Sequence, residues 1–449
     1  MAEGLSREEA RRLTDRALAL SQAEGCQVSV ASGVDGNTRF AANQISTSGD
    51  TANAVLTVSS RFGKRQASAS TNVFDDAGLR RAVETSERLA RLAPENPELM
   101  PLLPPQTYGA VAASFAATER LDAAQRADAV KVAADACEAA GLAGAGFIQR
   151  TAGSTAVANS GGLFAHHHAS DAAYTLTVRT PDGQGSGWAG TAHNDWARMT
   201  PARALAERAI GKARGSREPV TLEPGKYAVV LEPTAVGNLL GLMAFAMNAR
   251  AADEGRSFFA RRGGGTKLGE RVVDERVTVL SDPADPDLLE QPFTGEGLPV
   301  ARTVWIENGV LKHLAYDRFW ADKKGVAPVP FGGGIRLAGG TATTEELIAQ
   351  VPRGLLVTRF WYIRAVDQRS LLFTGLTRDG LFLIENGAVT RAARNFRFNE
   401  SPVIMLNNLE AIGRAERVAA SESGGVGGSV AVPPLLVREF TFTSISEAV

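Results

Sequence analysis

The sequence has few of the residues from which zinc sites and disulfide frameworks are built. Its 449 residues include only two cysteines and five histidines. Cys26 and Cys137 lie far apart in the chain, without the Cys-x-x-Cys spacing of a redox or zinc motif. This usage is typical of a reducing compartment, and it excludes a disulfide framework and a cysteine-based zinc site.

Neither an excess of one charge nor a long apolar segment is present. The 48 lysines and arginines almost balance the 49 aspartates and glutamates. A protein that binds nucleic acid through its phosphates usually shows a basic excess, so we expect no nucleic-acid partner. Apolar runs such as Leu239–Met247 are far shorter than the ~20 residues that cross a bilayer. Met1–Glu9 has no apolar signal core, and we therefore expect a cytoplasmic protein without membrane contacts.

The chain length and the local residue patterns predict an α+β protein of three parts. Hydrophobic residues make up 44% of the chain, which is enough for large cores, and domains usually hold about 100–200 residues. Residues 1–105 and residues 106–222 each predict the order helix, strands, helix. Residues 223–449 are rich in strand patterns and glycine. We therefore expect two similar N-terminal α+β units, followed by a large β-rich C-terminal domain that one helix interrupts.

Capping and periodicity signals place the elements of the first two units. Ser6 and Glu9 form a capping box, and Thr200 is a candidate cap for a helix with Pro201 at its first position. The segment Pro94–Pro105, with its prolines, is the predicted linker. The predicted helices are Ser6–Glu24, Asp75–Ala93, Leu121–Ala140 and Pro201–Arg214. The predicted strands are Cys26–Ala31, Thr38–Ser46, Asn53–Ser59, Arg65–Ser70, Phe147–Ala158 and Ala172–Thr180.

Two repeated turns are the clearest signals in the third part. Trp305–Leu311 and Leu383–Val389 each place Asn-Gly between apolar residues, which predicts hairpins closed by type I′ turns. A helix is predicted from Glu232 to about Ala251. The glycine-rich segment Gly424–Gly428 predicts a loop before a closing strand, Leu435–Phe442.

The residue pattern contains no self-contained catalytic motif. Ser186 lacks the glycine two residues before it that a nucleophile elbow requires. Gly263–Leu268 has its threonine before the lysine, so it does not match a phosphate-binding loop. His193 and His313 stand alone, and a structural role is the simpler interpretation of each.

Three consecutive histidines are the remaining candidates for metal chemistry. His166 and His168 would share one face of a strand, but two ligands are too few for a catalytic zinc site. The simpler interpretation is a polar strand or loop edge. An enzyme of another class that uses His166, His168 and a nearby acid such as Asp171 remains a minor alternative.

Several segments, in this order, resemble the TldD/TldE (PmbA) metallopeptidase family. They cover nearly the whole chain, and the third part contributes most of them. The segments are Arg39–Ser46, Val157–Gly162, Tyr227–Val230, Ala235–Gly237, Ile306–Leu311, Tyr316–Arg318, Ile384–Gly387 and Pro433–Val437. The resemblance implies two N-terminal α+β units and a β-rich C-terminal domain that carries the active cleft.

The resemblance also implies where a TldD-type member would hold its metal. In such members a helix bears His-Glu-x-x-x-His, and a later cysteine is the third ligand. The two histidine positions correspond to Pro233 and Asn238 here, and the glutamate corresponds to Thr234. The cysteine region corresponds to Ser421–Ser429, which has no cysteine. We therefore expect no metal ligands and no catalytic residues in this chain.

This pattern is similar to the TldE/PmbA branch of the family. The resemblance implies a non-catalytic subunit of a cytosolic zinc metalloprotease that acts on small or unfolded polypeptides. The zinc would belong to a TldD-type partner in a heterodimer, and the substrate would be a peptide. The alternative is a homodimeric peptide-binding or scaffold protein without protease activity.

Five residues are candidate contacts for a peptide or a partner. The bulky run at Phe360–Tyr362 predicts either a strand buried on both faces, which is the simpler interpretation, or a surface that touches a partner or a peptide. Glycine would also allow a bound peptide to approach the backbone closely. The candidates are Asn159, Gly332, Gly333, Gly334 and Trp361.

Overall fold

The strands of the first two predicted units join in one antiparallel sheet. We analysed a computed structural model, and the structure describes residues 4–419 and 429–447. The strands of this sheet are β1 (Gly25–Ala41), β2 (Gln44–Phe62), β3 (Arg65–Thr71), β4 (Ala143–Asn159), β5 (Phe164–Arg179) and β6 (Ser186–His193). Their order is β3-β2-β1-β4-β5-β6. The two units meet at the β1–β4 pair, from Gln27 opposite Asn159 to Phe40 opposite Gly146.

One face of this sheet is covered by helices. They are α1 (Arg7–Ala19), α2 (Asp76–Leu92), α3 (Ala116–Glu119), α4 (Ala123–Ala139) and α5 (Ala202–Gly215). Helices α1 and α2 pack over the half of the sheet that contains Val28 and Val30. Helices α4 and α5 pack over the half that contains Phe40 and Tyr174. Since side chains alternate along a strand, both helix pairs lie on the same face.

The C-terminal domain docks against part of the opposite face. Phe293 packs with Val157 and Ala165 of the sheet. Arg417 forms an ion pair with Asp171 at 2.7 Å. These contacts join the sheet to the C-terminal domain.

Three predictions in the N-terminal half need correction. The predicted strand Thr38–Ser46 is interrupted by a hairpin turn, because Ala42 and Asn43 adopt φ values of 48° and 62°. Helix α1 ends at Ala19, five residues before Glu24. Thr200 does not cap α5: Pro201 occupies the N-cap position, and the Thr200 N–H donates instead to the Thr191 hydroxyl at 3.1 Å. The Ser6–Glu9 capping box is confirmed.

The C-terminal domain contains two further sheets and five helices within the described residues. Its helices are α6 (Pro233–Ala246), α7 (Ala249–Asp253), α8 (Arg318–Lys324), α9 (Thr344–Ile348) and α10 (Pro402–Asn407). Its strands are β7 (Gly225–Leu231), β8 (Val279–Ser281), β9 (Thr303–Glu307), β10 (Val310–Leu311), β11 (Ile335–Leu337), β12 (Arg353–Asp367), β13 (Leu372–Glu385), β14 (Ala388–Ala392), β15 (Phe396–Glu400), β16 (Leu409–Ile412), β17 (Glu416–Arg417), β18 (Val430–Val432) and β19 (Leu435–Ile445). The predicted α+β fold with a β-rich C-terminal domain is confirmed.

The larger of these sheets closes on itself. Its order is β12-β7-β19-β15-β13-β14, and β12 also pairs with β13, so five of its strands form a ring. Closure removes the unpaired edges of an open sheet. Phenylalanine rings fill the interior, and the rings of Phe360 and Phe398 lie 4.6 Å apart. The smaller sheet has the order β10-β9-β8-β11-β18-β17.

Both predicted Asn-Gly turns are confirmed. Asn308 and Gly309 have φ values of 48° and 79°, and Asn386 and Gly387 have φ values of 52° and 76°. Positive φ at both central residues is the signature of the type I′ turn. The predicted loop at Gly424–Gly428 lies outside the described residues.

The helix predicted from Glu232 to Ala251 is two helices. The first, α6, ends at Ala246, and Asn248 caps the second by accepting the Ala251 N–H at 2.8 Å. A backbone bond from Ala249 to Ala315 holds the break in place. Among residues 4–419 and 429–447, no helix combines the length and the apolarity needed to cross a membrane.

Candidate functional site

The candidate site begins where the buried strand β7 passes into helix α6. The Glu232 N–H donates to the Val357 carbonyl of β12 at 3.0 Å, which anchors the start of the helix to the ring of strands. Pro233 is the first helical residue, where its missing N–H leaves no hydrogen bond unmade. The helix then buries Val236 and Leu239 against the core.

The side chains at the three positions that the family resemblance aligns with a metal motif do not fit a zinc ion. Pro233 has no donor atom, and the Thr234 hydroxyl is a poor zinc ligand and no general base at neutral pH. The Asn238 Oδ1 atom accepts the backbone N–H of Phe360 at 3.2 Å. Within the part of the chain that the structure describes, no three histidine, cysteine or acidic side chains form a metal-binding group. No catalytic step can therefore be derived through a metal held by these residues.

A cavity of 450 Å³ lies beside the start of α6. We call it the α6 cavity. Pro233 and Thr234 form part of its wall, and Trp188 from the edge strand β6 forms another part. Lys212 of α5 and Arg414 also line it. The cavity is therefore built from both the N-terminal sheet layer and the C-terminal domain.

A largely buried ion pair lies in this cavity, beside Pro233 and Thr234. The Lys212 ammonium lies 2.6 Å from the Glu232 carboxylate, and both side chains are less than one fifth exposed, at 11% and 17%. The ammonium also donates to the Trp188 carbonyl at 3.4 Å. Burial lowers the pKa of Lys212, and the nearby Glu232 carboxylate acts in the opposite direction. The pair neutralises charge locally and ties α5 to the start of α6.

The three consecutive histidines are divided between the two faces of the sheet. His166 contacts the Leu5 carbonyl at 3.0 Å, and His168 lies 3.4 Å from Glu119, both on the helical face. His167 and Asp171 belong to the opposite face, where Asp171 pairs with Arg417. Burial lowers the pKa of His167 to about 4, so this imidazole is neutral at pH 7. The alternative that joined His166 and His168 to Asp171 is therefore wrong, because strand alternation separates them.

Asn159 and the glycine run Gly332–Gly334, four of the five candidate contacts, lie against structural neighbours. The Asn159 side chain is buried, donates to the Leu103 carbonyl and accepts the Gly161 N–H, each at 2.8 Å. Gly332 and Gly334 lie against the carboxylate of Glu290, with Gly333 between them. Neither Asn159 nor this glycine run lines the α6 cavity.

Glu290, which lies beside this glycine run, is a buried acid that the sequence analysis did not single out. Its side chain is only 2% exposed, and within the described residues neither carboxylate oxygen has a hydrogen-bond partner of good geometry. Burial is the main cause that raises the pKa of Glu290 to about 7; the acids Asp282 and Asp285 act in the same direction, and the backbone N–H groups of Gly334 and Asp282 act against it. Because a Cβ atom at Gly332 would lie 2.1 Å from Glu290 Oε1, glycine at that position makes room for the carboxyl group.

Trp361 lies between two arginines. The guanidinium carbon of Arg359 is 5.3 Å from its ring centre, and that of Arg378 is 4.5 Å from it. Strand β12 is buried on both faces only as far as Phe360, and Tyr362 is 55% exposed with a φ of 52°. The interpretation of this run as a strand buried on both faces therefore holds for Phe360 and fails from Tyr362 onward.

Sequence reasoning missed the buried charges. Arg359 and Asp379 are 2% and 1% exposed and pair with each other. Each is a charged residue in the buried part of a strand that is rich in apolar residues, and that signal predicts a buried partner without naming it. Lys212, Glu232 and Glu290 gave no comparable signal, because Lys212 lies on an amphipathic helix and the two glutamates follow strand or loop residues.

Comparisons with known proteins support the family resemblance. Residues 224–444 match the family described as the PmbA/TldA metallopeptidase C-terminal domain. TldE from Thermococcus kodakarensis has the same fold, with a TM-score of 0.83 and 18% identity over 96% of this chain and 99% of that chain. A protein from Thermotoga maritima described as a modulator of a DNA gyrase has a TM-score of 0.81 and 19% identity, over 96% of this chain and 100% of that chain.

The curated relatives that carry the name metalloprotease include the following two. One, from Methanothermobacter thermautotrophicus, is 25% identical over 251 residues, which is 51% of this chain and 51% of that protein. The other, from Archaeoglobus fulgidus, is 41% identical over 59 residues, or 13% of this chain and 14% of that protein. The chain spans about half the length of the first relative and less of the second.

The fold defines the class of the protein, which is the TldE-like architecture of a helix-covered sheet joined to a β-rich domain. The sequence match then gives the family. Residues 224–444, about half of the chain, belong to the family described as the PmbA/TldA metallopeptidase C-terminal domain. The family recognised from the sequence is confirmed.

Proposed function

We propose that this chain is a non-catalytic subunit of a TldD/TldE-type zinc metalloprotease that acts on small or unfolded polypeptides. A TldD-type partner would supply the zinc and the catalytic residues, and this chain would complete the chamber that receives the peptide. The observation that carries the proposal is the use of Asn238, whose Oδ1 accepts the Phe360 N–H. A position that holds a metal ligand in TldD-type members holds a structural hydrogen bond here.

The retained helix supports the same proposal. Pro233 begins α6 at the position where proline is favoured, and the helix buries its apolar side chains in the largest core of the domain. The Lys212–Glu232 pair adds a link between the two halves of the molecule at the same place. These contacts stabilise helix α6 without requiring a metal ion. This is expected for a subunit that keeps the fold of the active members but not their catalytic residues.

Co-expression with a TldD-type paralogue from the same organism tests the proposal. We expect the two chains to co-purify as a stable complex that cleaves an unfolded polypeptide such as casein, and we expect neither activity nor zinc from this chain alone. A matched complex should lose activity when the paralogue's metal-binding histidine is replaced, and should keep it when Thr234 of this chain is replaced by alanine. Failure of the chains to associate would contradict the proposal.

The alternative is a homodimeric peptide-binding or scaffold protein without protease activity. The exposed Tyr362 beside the partly buried Trp361 offers aromatic surface of the kind that protein contacts use, and this observation favours an interface of some kind. Light scattering with and without the paralogue separates the two candidates. A homodimer that persists in the presence of the paralogue would favour the alternative.

A further inference from the structure

A second cavity, of 320 Å³, lies between the N-terminal sheet and the ring of strands. We call it the arginine cavity. One wall is formed by small residues at the β1–β2 turn and at the start of β4, among them Ala42 and Gly144. The Asn43 side chain holds this wall together, since it accepts the Gly144 N–H at 2.6 Å and donates to the Leu142 carbonyl at 2.9 Å. Because the side chains in this wall are small, the cavity extends almost to the backbone and stays open.

The other wall of the arginine cavity carries a buried, fixed guanidinium. Arg359 lines the cavity and is 2% exposed. Its Nε donates to Asp379 at 2.8 Å, and its Nη2 contacts the same carboxylate. The ring centres of Trp188 and Trp361 each lie 5.3 Å from its central carbon. The two rings and the carboxylate leave this group little freedom to rotate.

One nitrogen of the Arg359 guanidinium group is unpaired within the described residues. Arg359 Nη1 is buried and has no hydrogen-bond partner among the described residues. A buried donor without a partner costs about 1–3 kcal/mol, and more when it is charged. Buried polar groups in folded proteins almost always have partners, so an exception at a cavity points to a ligand.

The arginine cavity also has an excess of positive charge. Arg179 and Arg378 line it together with Arg359, whereas Asp379 is the one acidic residue among its described lining residues. Asp379 already accepts the Ser186 hydroxyl at 2.5 Å besides its bonds to Arg359. Arg378 is 3.8 Å from Asp379, and Arg179 has no ion-pair partner within residues 4–419 and 429–447. Three arginines, of which Arg179 is exposed, therefore line the cavity together with one carboxylate that already accepts several hydrogen bonds.

We propose that the arginine cavity binds an oxyanion, a carboxylate or phosphate group carried by a small molecule. The planar guanidinium offers paired N–H donors whose spacing matches the oxygens of either group. Arg359 supplies a preorganised buried donor, while Arg179 and Arg378 supply charge at the sides. This site is separate from the α6 cavity, and it does not depend on whether the chain is part of a protease.

Calorimetric titration of the purified full-length chain tests the site. Sodium phosphate, sodium acetate and a short peptide with a free carboxyl terminus would be titrated at constant ionic strength set with sodium chloride, which also screens nonspecific attraction. We expect saturable binding of at least one of them at one site per chain. Arg378→Gln and Arg179→Gln should each weaken it about tenfold, since each removes one charge-assisted contact.

Two matched variants make the result specific. Arg353→Gln removes an exposed arginine from the start of the same strand β12, and binding should be unchanged. Arg359→Lys keeps the positive charge but removes the paired N–H donors of the guanidinium group, so binding should weaken about tenfold. The rise in melting temperature that the anion gives should therefore be smaller in this variant than in the natural protein.

The outcome also identifies the class of anion. Tighter binding of the free peptide than of its carboxamide assigns the cavity to a carboxylate, and tighter binding of phosphate assigns it to a phosphate group; either supports the proposal. Absence of saturable binding to all three probes at millimolar concentration would overturn it. An equal loss of affinity in Arg353→Gln and Arg378→Gln would overturn it as well, because it would show attraction by overall charge alone.

Discussion

The Oδ1 atom of Asn238 in helix α6 accepts the backbone N–H of Phe360 in strand β12, at 3.2 Å. The bond reaches the irregular stretch of β12, where the pairing with β13 shifts register between Val357 and Arg359. A side-chain amide therefore joins the helix to the ring of strands, at the position that the family resemblance aligns with a metal ligand. This hydrogen bond gives Asn238 a structural role, which is to join helix α6 to strand β12.

Replacement of Asn238 tests this structural role. We expect Asn238→Leu, which has a similar shape and no acceptor, to lower the free energy of unfolding by about 1 kcal/mol, the usual net contribution of one hydrogen bond. Urea denaturation monitored by circular dichroism measures the change. Asn53→Leu, at an exposed position of β2, should change stability by less than about 0.5 kcal/mol. Equal effects of the two variants would show that the bond to Phe360 has no special role.

The pH dependence of stability follows from Glu290. Its pKa in the folded protein is about 7, above the ordinary value of 4.5, so the folded protein holds this proton more tightly than the unfolded chain. The resulting stabilisation is complete below pH 4.5 and is lost as the pH rises through 7. Glu290→Gln should remove this dependence and be more stable than the natural protein at pH 8, by up to about 3 kcal/mol.

Denaturant unfolding of both proteins from pH 5 to pH 8 measures this difference. The control is Glu275→Gln, because the Glu275 side chain is 77% exposed and its loss should leave the pH profile unchanged. Parallel profiles for the natural protein and Glu290→Gln would show that Glu290 does not titrate in this range.

Gly332 should be coupled to Glu290 through space. A Cβ atom at Gly332 would lie 2.1 Å from Glu290 Oε1, so Gly332→Ala should destabilise the protein by about 1–3 kcal/mol. In a Glu290→Ala background the same substitution should cost much less. Gly295→Ala is the matched control, since no atom lies within 4 Å of its added carbon. A double-mutant cycle measures the coupling, and an additive result would exclude this contact as the cause.

The Arg359–Asp379 pair should be much more sensitive to loss of one partner than to loss of both. Arg359→Leu leaves a carboxylate that is 1% exposed without its guanidinium, and we expect a loss of about 3–5 kcal/mol. Arg359→Leu combined with Asp379→Asn should recover most of it, because asparagine tolerates the φ of 54° at this position. Arg11→Ala, which breaks an exposed pair with Asp15, should cost less than about 1 kcal/mol.

The sequence was most informative where structure is decided locally. The Asn-Gly turns at Asn308 and Asn386 and the capping box at Ser6 depend on a few adjacent residues, and all are confirmed. The Ala42–Asn43 turn was missed because Asn43, although it tolerates positive φ, is not followed by the glycine that marks the two Asn-Gly turns. The break after Ala246 was missed because a backbone bond to the distant Ala315 helps to fix it.

The candidate site was less predictable because its contacts are long-range. The degenerate positions Pro233, Thr234 and Asn238 could be found by resemblance alone, whereas their partners could not. Asn238 meets Phe360 across 122 residues, and Asp379 meets Ser186 across 193 residues. Such pairs are set by the register of strands and the docking of two domains, which no local pattern encodes.

Zinc content and peptidase activity, measured together on the same preparations, test the central claim most directly. The chain purified alone, and its complex with a TldD-type paralogue, would be analysed by mass spectrometry for metal and assayed with an unfolded polypeptide. The account predicts no stoichiometric zinc and no cleavage for the chain alone, and about one zinc per heterodimer with cleavage for the complex. One equivalent of zinc in the isolated chain, with peptide cleavage that a chelator abolishes, would contradict it.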